Sequence, residues 1–120
     1  MRILWVSRHK MTAEQLDSLK KNYGDIEIIN ADRTFTNAQE IIDFTENIDV
    51  YAVVLPTEIL VDLYKLLPAD KDLIIPYSKR IPTGKKVLNS STGDYEAEYM
   101  FVHDCWKKVI CAEFETEKLK

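Results

Sequence analysis

Arg2-Ile3-Leu4-Trp5-Val6, then Ser7-Arg8-His9-Lys10, then Met11-Thr12-Ala13: an apolar run of strand type stops at a small hydroxyl residue, two cations and a histidine. A helix start follows at once, with Thr12 as N-cap and Gln15 three residues on, the spacing of a capping box. A buried strand, a short polar loop and a helix N-terminus make the first half of a βαβ unit. Such a helix start is suited to an anion.

The rest of the chain repeats that pattern. Leu16 and Leu19, with Met11 and Tyr23 extending the stripe, predict an amphipathic helix from Ala13 to Tyr23, stopped by Gly24. Asp25 to Asn30 alternates into an apolar run and reads as a second strand. Thr36, with Gln39 three residues later, predicts a second helix ending near Asn47. Val50 to Leu55 is apolar almost throughout, as expected where helices cover both faces of a sheet. Pro56 stops it, Thr57 caps a third helix, and Pro68 ends that helix. Asp72 to Ile75 is a short fourth strand, closed by Pro76. Tyr77 to Lys86 reads as a polar, basic connection and Ser90 to Asp94 as turn chemistry. The tail predicts two strands, Glu96 to Val102 and Lys108 to Glu115, joined through His103-Asp104-Cys105-Trp106-Lys107.

Strands alternating with helices imply a parallel sheet with right-handed crossovers. The expectation is one α/β domain over residues 1–120, Rossmann-like and three-layered, with a mainly parallel sheet and a C-terminal antiparallel hairpin. At 120 residues the chain is long enough for one core and too short for two.

Composition narrows the function classes. A formal charge of −4 argues against broad-face binding of duplex DNA, although a local basic pocket remains compatible with it. Cys105 and Cys111 form no CxxC pair and, with only His9 and His103 to join them, no zinc set. A reducing compartment would keep them as thiols. No leader pattern opens the chain, and no apolar run approaches the ~20 residues a membrane span needs. The expected location is cytoplasmic, with no membrane contact.

In an open α/β sheet, ligands bind outside the carboxyl ends of the strands. That rule places Ser7, Arg8, His9 and Lys10 after the first strand, and Asn30, Asp32 and Arg33 after the second. Thr57 follows the third, and Tyr77, Lys79 and Arg80 the fourth. Five of the sixteen basic residues thus fall on one rim of an acidic protein, beside three helix starts. The pattern points to a phosphate-bearing small ligand held by Arg8, Lys10, Arg33, Lys79 and Arg80, with Thr12 and Thr57 as helix-start donors. Tyr77 would stack on a base. His9 suits proton transfer near neutral pH, and Ser7 is the candidate hydroxyl beside it. Taken singly, Arg8 and Lys10 also read as loop cations paired with Glu14 or Asp32, and Ser7 as a residue small enough for the turn.

There is no Walker A loop and no GxGxxG, since Gly24, Gly84 and Gly93 lie far apart. No acidic cluster predicts a metal, and no cofactor is expected. His103-Asp104-Cys105 cannot converge as a triad on a strand, because neighbours point to opposite faces.

The opening from Ile3 to Lys10, followed by Thr12-Ala13-Glu14-Gln15-Leu16, resembles small stand-alone CRISPR-associated ring nucleases and related CARF-type domains. The resemblance covers about the first twenty residues, and Ser7, Arg8 and His9 carry it. It implies a homodimer that binds a cyclic oligonucleotide across its two-fold axis. The ligand would be sequestered, or cleaved without metal by in-line attack of a ribose 2′-hydroxyl. A competing class is a protein-interaction module or inhibitor, in which the hairpin from Tyr99 to Phe114 pairs with another chain.

Overall fold

A computed structural model describes residues 1–111 of the chain. Eight elements follow one another: β1 (Arg2–Val6), α1 (Ala13–Tyr23), β2 (Glu27–Ala31), α2 (Ala38–Phe44), β3 (Val50–Val53), α3 (Thr57–Leu66), β4 (Asp72–Leu88) and β5 (Tyr95–Lys108). All five strands form one mixed sheet in the order β2-β1-β3-β4-β5. The first four run parallel, and β5 is antiparallel to β4.

The period of two along each strand explains the cores. Leu4 and Val6 of β1 join Tyr51, Val53 and Leu73 in one buried cluster, with Ala38 and Ile41 of α2 and Leu63 of α3. Ile3 and Trp5 point the other way. They join Val50, Ala52 and Ile74 in a second cluster with Leu19 of α1. The central strands β1 and β3 therefore carry almost no polar residue between their ends, because both of their faces are covered. Each fully buried aliphatic side chain contributes about 1.5–3 kcal/mol of transfer free energy.

The expected start of α1 holds in full: Thr12 Oγ1 accepts the Gln15 N–H at 3.1 Å, and the Thr12 N–H reaches Gln15 Oε1 at 2.9 Å. Gly24 ends the helix at φ 75°, where a side chain would be strained. The expected starts of the other two helices shift. Asn37, not Thr36, caps α2, and its Oδ1 accepts the Glu40 N–H at 3.0 Å. Glu40, rather than Gln39, reaches back to the Thr36 N–H and hydroxyl. Those two bonds from Thr36 hold its carboxyl below the usual range. No reciprocal box closes here: Asn37 caps the helix, while the Glu40 carboxylate takes its charge-assisted bonds from Thr36, one residue before the cap. The helix then ends at Phe44 instead of Asn47, which sits in the left-handed region at φ 59°. Pro56, with no side-chain bond, occupies the cap of α3, and Thr57 is its first helical residue.

The C-terminal third departs most from expectation. β4 does not close at Pro76; it runs through Pro76 and Pro82 to Leu88. Beyond Ile74 it has no partner on its β3 side, and an edge strand tolerates a residue without N–H. β5 is likewise a single strand from Tyr95 to Lys108, not two strands joined through residues 103–107. A lone extra residue, Asp104, remains at the irregularity beside Tyr77 and Ser78. Half of the expected final strand, residues 112–115 with Phe114, lies outside the described residues.

Because β4 is parallel to β3, its extension leaves from the carboxyl end of the sheet as a two-stranded arm, turned by residues 89–94. Gly93 at φ 76° shapes that turn, and its N–H bonds to Asn89 O. The arm accounts for a radius of gyration of 17.6 Å, against roughly 14 Å for a compact chain of this length. Cys105 is partly buried at its root, Cys111 is exposed, and both are free thiols.

Candidate functional site

A cavity of about 520 Å³ opens at the carboxyl ends of β1 and β2, between their loops and the start of α1. That size lies within the range of small-molecule sites. Its base is apolar, made by Trp5, Ile28, Met11 and Leu16. Its polar wall is Ser7, Arg8, His9 and Lys10 from the first loop, with Asn30 and Asp32 opposite.

The first loop is held from below. Trp5 Nε1 donates to the carbonyl of His9 at 2.9 Å, which ties the loop to the buried indole. Ser7 Oγ accepts the backbone N–H of His9 at 3.1 Å, a local turn bond. That bond spends one lone pair of Ser7 on shaping the loop, and no hydrogen bond links the hydroxyl to the His9 ring. Arg8 and Lys10 enter none of the ion pairs formed among the described residues. Pairing with Glu14 or Asp32, the alternative open from sequence, does not occur. Two cations beside an apolar base therefore remain available to an anionic ligand.

The other expected site residues are not brought together there. Thr12 is engaged in its cap and does not line the cavity. Arg33 lies against the α2 side, its guanidinium 4.8 Å from the Phe35 ring centre and 5.8 Å from that of Phe44. Thr57 is also absent from the lining. Tyr77, Lys79 and Arg80 are arm residues, because β4 continues where a loop was expected. The Tyr77 ring carries Lys107 Nζ at 3.7 Å, Lys79 pairs with Asp104 at 3.2 Å, and Arg80 stacks on Tyr99 at 4.1 Å. Of the five cations expected on one rim, two line the cavity.

Sequence reasoning underweighted the cavity's base. Trp5 faces Asn30 in the β1–β2 register, and Ile28 shares that face by alternation. Leu16 lies on the apolar stripe of α1 in the chain's own pattern. The cavity sits on the β1–β2 side, whereas strand order reverses between β1 and β3. On the β3 side the Val54 N–H bonds to Val6 O at 2.9 Å, which carries the β1–β3 pairing one residue past the end of β3.

A second polar group lies at the far end of the sheet. Tyr23 Oη donates to Asp72 Oδ2 at 2.9 Å, and Lys108 Nζ meets Asp72 Oδ1 at 3.1 Å. Burial, then the bond and charge of Asp72, push the Tyr23 hydroxyl up to about 12. Among the described residues no three His, Cys, Asp or Glu side chains are grouped to hold a metal ion. No described helix is long and apolar enough to cross a membrane. No protein-family model, curated protein or solved structure matches the chain.

Proposed function

We propose that the chain is a Rossmann-like, three-layered domain that binds a phosphate-bearing small ligand of nucleotide type in the β1–β2 cavity. The carrying observation is the pairing of an apolar base with two cations, Arg8 and Lys10, that form no ion pair among the described residues, although Asp32 stands in the opposite wall. A base or ribose fits against Trp5, Met11 and Leu16, while phosphate oxygens take the guanidinium and ammonium. The resemblance of the Ser7-Arg8-His9 corner makes a cyclic oligonucleotide the favoured ligand, held by a homodimer.

Sequestration needs no more than this. If the ligand is also cleaved, a ribose 2′-hydroxyl attacks the adjacent phosphorus and gives its proton to the His9 ring. The P–O5′ bond breaks, the leaving 5′ oxygen takes a proton from water, and the products are a 2′,3′-cyclic phosphate and a 5′-hydroxyl, with the His9 ring later returning its proton to solvent.

A thermal-shift screen with cyclic and linear oligoadenylates and cyclic dinucleotides tests the reading, with Arg8→Ala in parallel. A ligand at ~100 times its Kd raises the melting temperature by on the order of 10 °C for a domain of this size. The shift should vanish in Arg8→Ala. A shift that survives that substitution places the ligand elsewhere.

A further inference from the structure

We propose that one face of the β4–β5 arm binds single-stranded nucleic acid, laying successive bases of an extended oligonucleotide on its exposed rings. Strand alternation sorts the arm's side chains. β5 runs without interruption from Tyr95 to His103, because the extra residues at the outer irregularity fall on β4. One face therefore carries Tyr95, Tyr99, Phe101 and His103, with Lys86 and Arg80 of β4 beside them in register. Glu96 and Glu98 alternate onto the opposite face. Between residues 78 and 103 the ring face thus holds two cations and no carboxylate, in a protein of formal charge −4.

Among the described residues neither buried cluster includes those rings. A two-stranded ribbon has no core beneath it, yet Phe101 is 73% exposed and Tyr95 70%. Tyr99 and Phe101 stand two residues apart, about 6.6 Å along the strand, or twice the ~3.4 Å rise of a stacked strand. Bases spread to that spacing each meet their own ring, the arrangement by which sheets read unpaired strands. Arg80, already lying on Tyr99, is placed to take a phosphate between two such bases.

The row also continues inward. His103 lies 5.7 Å from Trp106, and Trp106 5.6 Å from Trp5 in the cavity wall. Both His103 ring nitrogens are buried there and lack a hydrogen-bond partner among the described residues. A second copy docked on this face would bring two more cations with no carboxylate to pair them. A polyanion meets no such penalty.

Fluorescence anisotropy of the full chain with a labelled single strand of ~10 nucleotides tests the proposal. Phe101→Ala and Tyr99→Ala should each weaken binding about fivefold or more. Arg80→Ala should weaken it and lower the salt slope by about 0.7. The wild-type near-UV circular dichroism should persist, since all three side chains lie outside the cores. The proposal is independent of the cavity reading, and Arg8→Ala separates them: strand binding that persists there supports the arm. Three results overturn it. One is unchanged affinity in Tyr95→Ala/Phe101→Ala, and another is loss of binding in Arg8→Ala alone. The third is a dimer, seen by sedimentation, that Phe101→Ala dissociates while the single strand binds neither form.

Discussion

The indole of Trp106, in the last strand, meets the indole of Trp5, in the first, edge to face at 5.6 Å with the planes 85° apart. Two strands lie between them, and Ala52 of β3, in register with Trp5, leaves the space for the contact. Each indole N–H is also committed. Trp5 donates to His9 O, and Trp106 donates to Gln15 O at 3.0 Å. The pair thus ties the cavity loop and the start of α1 to the antiparallel strand.

Removing that tie should cost stability in two separable parts. Trp106→Ala loses apolar burial, the ring pair and the bond to Gln15, about 3 kcal/mol in all. Trp106→Phe keeps most of the packing and should cost about 1 kcal/mol. Urea titrations should show lower midpoints with unchanged slopes. A loss below ~0.5 kcal/mol for Trp106→Ala would show that β5 docks without the indole.

The capping box gives a sharper test, because its two bonds are reciprocal. Thr12→Ala should cost about 1 kcal/mol. A cycle with Gln15→Ala should show a coupling of about 0.5 kcal/mol, since each side chain satisfies the other's backbone. Strict additivity would mean that the two bonds form independently.

The parallel part of the fold was legible in residues such as Leu4, Val53 and Thr12 because their signals are local: period, cap and apolar run. The arm was not. Pro76 reads as a stop, and it is one only where a strand has neighbours on both sides. No local pattern says that β3 ends first. The same blind spot moved Tyr77, Lys79 and Arg80 from the rim onto a ribbon. Arg33 was lost differently, since its stacking on Phe35 and Phe44 depends on the packing of α2. The cavity's polar wall was visible because it sits in one contiguous loop, whereas its base is assembled from three elements.

Alkaline titration should expose the Tyr23–Asp72 bond. The folded-state hydroxyl is raised to about 12, above its ordinary value near 10. The neutral form therefore stabilises the fold, fully so below pH ~10 and progressively less as pH rises through 12. Wild-type stability should fall over that window, and Tyr23→Phe should fall less steeply there. Tyr51, also raised by its burial, stays in both proteins as a common background. Identical alkaline profiles for the two would mean that Tyr23 ionises as it does in the unfolded chain.

Excising the arm should leave the sheet standing. Neither buried cluster contains a residue between Tyr77 and Asp104, while Trp106 and the pairing of Ile74 with Lys108 lie inside the boundary. Replacing residues 79–102 with Asn-Gly, the preferred two-residue hairpin turn, joins Ser78 to its partner His103 directly. The shortened chain should unfold cooperatively, within about 1 kcal/mol of wild type, because the removed ribbon buries little apolar area. Small-angle scattering should show the radius of gyration falling from 17.6 Å toward roughly 13 Å. It should keep the cavity, since every lining residue precedes Arg33. A broad, non-cooperative transition would show instead that the arm is folded together with the sheet, and that its exposed rings stabilise the domain.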